Sequence, residues 1–424
     1  MNTIKLLSLS LLLLASSFAL VRAESFRTDI NPALLYYRAF LATPEPGLSD
    51  ADRAYLESKK GLEQKLPERF GKIVAGYDHQ MQLVQQAAHS RVPCDWGVDL
   101  STGPNTLLPH LARARVVVRT AQLRAGWALQ HGRQEDARDE LLAAFVLGRN
   151  AGSDHLVISA FVQNSIEGMI YGAVAFHFGE FSPDTLKQLA AGFDAAPARC
   201  TIAACMPSEK SLGDWALTRL VELQNAYPGD DAKVMAEYRD SGLVTAMNSV
   251  GHTNFWPRLV AASGGTSAGV LKLLRETEPL FPRLAEILAL PQPEYETQAK
   301  QFKADARLSK NPFWSSFDLL TGWDLGGSRV HPRATEFRAE AYLAIVHAAV
   351  EYKLHGEAGL KSVMDPFGSG PFSFRRFLFK GVDRGFELRS AYSGTQAPFV
   401  IIFVEKQGPL FQISGADAGK AVEQ

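Results

Sequence analysis

The feature that most constrains the fold is a change of pattern near Gly356. Up to that residue, apolar residues recur at helical spacing, and the breaks between helical segments are rich in proline and glycine. Beyond it, three aromatic and β-branched runs read FSFRRFLF, GFELRSAY and FVIIFVEK, with glycine-containing turns between them. Such runs are typical of strands in an antiparallel meander. The sequence therefore predicts a mainly α fold with a small C-terminal antiparallel β module.

Two helical hairpins are predicted in the N-terminal half. Their helices cover about 105–131 and 134–151, and about 155–178 and 183–195, and Gly132 ends the first helix. Small residues interleaved with aromatic ones let paired helices approach closely, as tetratricopeptide-type hairpins do. Two units are fewer than the three that a solenoid needs. An irregular array of helical hairpins and a tetratricopeptide-like array therefore both fit this region.

The first 23 residues are predicted to be an export signal. Lys5 supplies a positive start, Leu6 to Leu14 is mostly apolar, and Val21 and Ala23 are the small residues of a cleavage site. An uncleaved anchor is the alternative, but the apolar stretch is shorter than the roughly 20 residues of a spanning helix. Later stretches are shorter still, so no stable membrane insertion is expected after cleavage. The expected location is periplasmic or secreted.

The mature chain divides into three predicted regions. These are an N-terminal helical domain over 24–198, a second helical region over 199–356, and the β module over 357–424. A chain of this length exceeds what one hydrophobic core usually holds. The 44 basic and 45 acidic residues give a formal net charge of −1. A near-neutral, evenly mixed chain argues against a nucleic-acid partner, which needs a concentrated basic face.

The three cysteines predict one local disulfide. Cys200 and Cys205 flank TIAA between two helical patterns, and an exported chain can keep disulfides. Cys94 is then left as a buried thiol, and the open alternative is a bridge from Cys94 to one of the other two. A second close pair of ligands is missing from the sequence, so no zinc site is predicted.

The segment GTSAG at 265–269 has the form of a nucleophile elbow and resembles that of patatin-type lipid acyl hydrolases. The resemblance implies Ser267 as the nucleophile. However, no glycine-rich oxyanion loop precedes it, no Asp-Gly-Gly follows it, and RLVAAS before it is a poor strand. The favoured prediction is therefore no catalytic residue, with Ser267 as the alternative.

Two further motifs are interpreted as structural. His347, Glu351 and His355 share one helix face, but residues eight apart lie about 12 Å apart along a helix, too far to hold one ion. An ion-paired or solvated face is predicted there, with no metal and no cofactor. The segment DPFGSGP at 365–371 leads into a strand rather than a helix, so it is predicted to be a hinge and not a phosphate cradle. Gly368 and Gly370 would allow positive φ in such a turn.

Three segments together resemble a group of uncharacterised exported bacterial helical proteins. They are NPALLYY.AF after the signal, GR.EDAR.ELL in the first hairpin, and DPF.G.PF.F followed by GF.L.S near the end. The C-terminal segment is also similar to the end of type II secretion pseudopilins. Here the turn has one extra residue, and the acidic calcium loop is missing after Ser390, so the likeness implies a local fold alone. The matching turn residues are Asp365, Pro366, Phe367, Gly368, Pro371 and Phe372.

These patterns predict an exported, non-catalytic helical scaffold or binding protein. Its expected partner is another envelope or secreted protein, and its specificity and oligomeric state are left open by the sequence. The alternative is a serine hydrolase that acts on lipid or cell-envelope esters through Ser267.

Overall fold

A computed structural model describes residues 27–44, 48–57, 65–249, 254–314, 323–325, 328–393 and 398–406. The predicted signal at 1–23 lies outside these residues. The described part contains sixteen α-helices and a small three-stranded antiparallel sheet. The predicted mainly α fold with a small C-terminal β module is therefore confirmed.

Eight helices form the N-terminal part. They are α1 (Pro32–Leu41), α2 (Asp50–Glu57), α3 (Arg69–Gly76), α4 (Asp78–Ala88), α5 (Pro109–Gln130), α6 (Gln134–Ala151), α7 (Val157–Phe176) and α8 (Pro183–Ala195).

The rest of the chain adds eight helices and five short strands. The helices are α9 (Met206–Ala226), α10 (Asp231–Arg239), α11 (Leu243–Ser249), α12 (Phe255–Ser263), α13 (Ser267–Arg275), α14 (Leu280–Leu288), α15 (Gln292–Leu308) and α16 (Pro332–Ser362). The strands are β1 (Trp323–Leu325), β2 (Ser328–Val330), β3 (Ser373–Phe379), β4 (Val382–Ser393) and β5 (Pro398–Val404).

Local signals set the helix boundaries. The Asn31 side chain accepts a hydrogen bond from the Ala33 amide (3.0 Å) at the start of α1. The Ser182 hydroxyl accepts a hydrogen bond from the Thr185 amide (3.1 Å) at the start of α8. Gly132, at φ 71°, ends the turn after α5 and allows α6 to fold back against it. None of the described helices is long and apolar enough to span a bilayer.

The largest core crosses the predicted regional boundaries. It unites α1 and α4 to α8 with α16 and the C-terminal sheet. A buried ion pair supports this core: Glu167 on α7 lies between Arg149 on α6 (3.0 Å) and Arg199. Arg199 also donates to the carbonyl of Ala339 on α16. The helices from α9 to α13 form a separate cluster that includes Phe255.

The C-terminal sheet has the order β3-β4-β5, with both pairs antiparallel. Phe386 on β4 is fully buried and lies between Phe178 (ring centroids 5.5 Å apart) and Tyr352 on α16 (4.8 Å). One face of the sheet therefore packs against the helical body. The helical pattern of α16 is broken at Gly356, which has φ 65°, and a short helical segment follows before the hinge.

The hinge is held by a carboxylate and not by glycine conformations. The buried Asp365 side chain accepts hydrogen bonds from the Ser390 hydroxyl (2.9 Å) and from the amides of Phe367 (3.0 Å) and Ala391. Gly368 and Gly370 are not among the described residues with positive φ, so the turn does not use the freedom that these glycines allow. The carboxylate closes the turn by satisfying the amides directly, so a left-handed residue is not needed there.

Candidate functional site

A depression follows α6, with α3, α4 and α5 on one side and α8 on the other. It has two adjoining parts, here called the polar cleft and the apolar groove, and together the α6 groove. The polar cleft has a volume of about 430 Å³ and the apolar groove about 990 Å³. Gln85 and Asp139 line both parts, so one bound molecule could occupy the two together.

Arg124 of α5 organises the polar cleft. Its guanidinium donates to Glu140 on α6 (2.8 Å), to Asp78 on α4 (2.6 Å) and to the Val74 carbonyl (2.7 Å). These contacts tie α3, α4, α5 and α6 together at one point. The close approach of α3 also depends on Gly71, where a Cβ atom would lie only 2.8 Å from the Trp127 ring.

Glu140 is the most unusual group in the cleft. Burial raises the pKa of its carboxyl, whereas the neighbouring Arg124 acts in the opposite direction. Its Oε1 accepts from Arg124, but its Oε2 is buried without a hydrogen-bond partner among the described residues. Leaving a buried carboxylate oxygen without a hydrogen bond costs free energy, and a donor from a bound molecule would remove that cost.

The charges of the polar cleft are unequal. Two guanidinium groups, of Arg124 and Arg133, stand against four carboxylates. Those carboxylates belong to Asp78, Asp136, Asp139 and Glu140. The cleft therefore favours a positively charged group that can donate hydrogen bonds.

The apolar groove has small and aliphatic side chains along α6 and the end of α8, and its opposite wall and rim are polar. The polar lining residues are Gln85, His89, Ser90, Arg138 and Asp139. Leu142 and Val146 of α6 are half-buried along it, and Ala195 at the end of α8 is exposed. Gly192 lets α8 lie close to α6, because a Cβ atom there would be 2.5 Å from Leu142. The result is an open trough that can accept an apolar side chain.

Ser267 lies in a helix-turn-helix and not in a nucleophile elbow. Helix α12 precedes it, Gly264 and Gly265 have positive φ, and α13 begins at Ser267 itself. Ser267 is 4% exposed, and its hydroxyl donates to Asp231 and accepts from Gln224 (2.8 Å). An acidic partner is thus present, but the strand that an elbow requires is replaced by a helix. The hydroxyl ties α13 to α9 and α10.

The cysteine prediction stays open. Cys200 and Cys205 are close, with their sulfur atoms 3.5 Å apart, but a disulfide bond is about 2.05 Å long. Both are thiols in the structure, and Cys94 is a separate buried thiol. Sequence reasoning did not identify His155, whose Nδ1 lies 3.4 Å from Cys200 Sγ.

The histidine face of α16 contacts carboxylates. His347 Nε2 lies 3.0 Å from Asp194 on α8, and His355 Nε2 lies 3.7 Å from Glu351. The described residues contain no group of three or more His, Cys, Asp or Glu side chains that could hold a metal ion.

Sequence reasoning also missed the α6 groove, although one signal for it was available. Arg124 and Glu140 lie eight residues before and after Gly132, the turn of a predicted antiparallel hairpin. Positions placed symmetrically about such a turn face each other. The opposite charges at these positions could therefore have predicted the ion pair, but not the cleft, because α3 and α4 come from distant sequence.

No protein-family model, curated protein or solved structure matches the chain. The resemblances to exported helical proteins, to pseudopilin ends and to the patatin elbow therefore stay predictions.

Proposed function

We propose that this is an exported, non-catalytic helical binding protein, and that the α6 groove holds a segment of another envelope or secreted protein. The observation that carries the proposal is the junction of an acidic cleft with an apolar trough on one helix. This junction fits a polypeptide segment with a Lys or Arg side chain next to a large apolar one. Export through cleavage after Ala23 is part of the proposal.

The cationic side chain would enter the polar cleft. Glu140 Oε2 lacks a donor among the described residues, and Asp136 and Asp139 are exposed on the same helix, where they pair with Arg133 (2.9 Å) and Arg138 (2.8 Å). A guanidinium or ammonium group placed between these oxygens gains charge-assisted hydrogen bonds. Arg124 already pairs with Glu140, so the incoming cation completes a network instead of creating one.

The apolar side chain would enter the trough beside Leu142 and Val146. Burying one large aliphatic side chain contributes about 1.5–3 kcal/mol. The trough is open along its length, which suits an extended or helical segment better than an enclosed small molecule. Affinity would come from this anchor, and selectivity from the charge requirement.

Fluorescence anisotropy with short labelled peptides tests this proposal. A peptide that alternates Lys and Leu should bind, and matched peptides with Glu for Lys or Ser for Leu should bind at least about tenfold more weakly. The double variant Asp136→Asn/Asp139→Asn should weaken binding of the Lys peptide, most clearly at low salt.

The matched control is Asp214→Asn/Asp240→Asn, which removes two exposed carboxylates from α9 and the end of α10. It should leave the affinity unchanged. Equal binding of the Lys and Glu peptides, or equal losses in the two double variants, would contradict the proposed site.

A further inference from the structure

The segment between α8 and α9 brings two thiols and an imidazole together. Cys200 lies in this segment, and Cys205 is the residue that precedes α9. Their sulfur atoms are in contact at 3.5 Å, and the exposed His155 lies 3.4 Å from Cys200 Sγ through its Nδ1. A thiol next to a base and next to a second thiol has the parts needed for thiol–disulfide exchange.

We propose that Cys200, Cys205 and His155 form a redox-active dithiol site that exchanges with disulfides of other molecules. Cys200 is the attacking thiol and Cys205 the resolving thiol. The proposal is independent of the α6 groove, and it differs from a permanent structural disulfide.

Position decides which thiol attacks. Both thiols are buried, but Cys200 is 5% exposed and contacts the exposed His155, whereas Cys205 is 0% exposed. The hydrogen bond to Cys200 and burial raise the pKa of the Cys205 thiol. Cys205 therefore keeps its proton while Cys200 reacts. Burial also raises the pKa of the distant Cys94 thiol to about 12, which makes Cys94 a poor nucleophile.

His155 is held in an uncommon conformation. It is one of three non-glycine residues with positive φ among the described residues, at 55°, and its amide donates to the Gly152 carbonyl (3.1 Å). Left-handed residues outside glycine are held by their surroundings and occur often at functional sites. Here the turn presents the imidazole to the sulfur of Cys200.

The backbone of Cys200 is fixed from the opposite side. Gln163 on α7 accepts from the Cys200 amide (3.0 Å) and donates to its carbonyl (3.3 Å). Gly152 leaves room for this contact, since a Cβ atom there would lie 2.9 Å from Cys200 Cβ and 2.5 Å from the Gln163 side chain. Oxidation must shorten the sulfur separation from 3.5 Å to about 2.05 Å.

The exchange proceeds in two balanced steps. The Cys200 proton passes to His155, and Cys200 Sγ attacks one sulfur of an external disulfide R–S–S–R. The first RS⁻ leaves and takes up the proton that His155 holds, which gives RSH. Cys205 Sγ then attacks Cys200 Sγ, and the second RS⁻ leaves with the Cys205 proton. The protein dithiol loses two electrons and two protons, and the external disulfide becomes two RSH molecules.

The nearby carboxyl groups oppose ionisation of the Cys205 thiol. Asp154 and Glu209 are the acidic neighbours, and the Glu209 carboxyl accepts a hydrogen bond from the Val157 amide (2.9 Å). Their negative charge adds to the rise in the pKa of the Cys205 thiol. Burial raises the pKa of the Glu209 carboxyl, which limits its opposition to the thiolate.

The test uses the reduced, native full chain and an aryl disulfide whose leaving thiolate absorbs light. The protein should release two aryl thiolates and end with a Cys200–Cys205 bridge in peptide mapping. Cys205→Ser should release one aryl thiolate and keep a mixed disulfide on Cys200. Cys94→Ala should react like the wild type.

His155→Asn separates a chemical role from a structural one, because Asn tolerates positive φ. It should slow the first release about tenfold near neutral pH, where an unassisted thiol is only a few per cent ionised. In this variant, the pH at which the rate of the first release begins to rise should also be higher than in the wild type. The control is His355→Gln, which replaces an exposed histidine on α16. It should change neither the rate of the first release nor its pH profile.

Three results would overturn the proposal. The first is an unchanged rate and pH profile in His155→Asn. The second is release that disappears only in Cys94→Ala. The third is a Cys200–Cys205 bridge, present on isolation, that dithiothreitol reduces only after the protein is unfolded.

Discussion

At the scale of single residues, the same motif can serve chemistry or folding, and the partners decide which. At GTSAG, Gly265 and the preceding Gly264 end α12 and turn the chain. The Thr266 side chain accepts a hydrogen bond from the Gly269 amide (3.1 Å) and caps α13. Ser267 then binds Asp231 and Gln224 across two helices. Gly265, Thr266, Ser267 and Gly269 all have roles in the turn, so the motif is explained without a nucleophile.

We predict that Ser267→Ala lowers the free energy of unfolding by about 1–2 kcal/mol, because Asp231 and Gln224 lose a shared partner. Chemical denaturation measures this. Ser211→Ala, whose hydroxyl bonds only within its own helix, should change stability by less than about 0.5 kcal/mol. A fluorophosphonate probe should leave the wild type unlabelled. Labelling that disappears in Ser267→Ala would instead support the hydrolase alternative.

At the scale of elements, the C-terminal sheet depends on one very close backbone contact. Gly179, between α7 and α8, approaches the end of β5 so closely that a Cβ atom would lie 2.1 Å from the Glu405 carbonyl oxygen. Backbone atoms cannot move aside as a side-chain end can. Together with Phe386 in the core, this contact fixes the sheet on the helical body.

We expect Gly179→Ala to destabilise the protein by about 1–3 kcal/mol, as overpacking usually does. Its matched control is Gly370→Ala in the hinge, where a Cβ atom meets nothing within 4 Å. That variant should be neutral or slightly stabilising. Thermal unfolding of both proteins measures the difference. Similar melting temperatures for the two would mean that the sheet is not fixed at Gly179.

At the scale of the whole molecule, the sequence predicted what local interactions determine. Asn31 and Ser182 begin helices, Gly132 and Gly356 interrupt them, and the aromatic runs form the sheet. Contacts between distant residues were not predictable. The α6 groove joins five separate helices, and the contact of His155 with Cys200 spans 45 residues. Sequence spacing contains no information on which distant surfaces meet.

The central claim is that the α6 groove binds another exported protein, and photo-crosslinking in the producing cells tests it most directly. A benzophenone amino acid at Ala195, on the exposed rim of the groove, should give one discrete crosslinked product. Val146→Arg, which fills the trough, should abolish that product. The same crosslinker at Leu308, which is 84% exposed at the end of α15, should not give it. Identical products from both positions, or a product that persists in Val146→Arg, would contradict the claim.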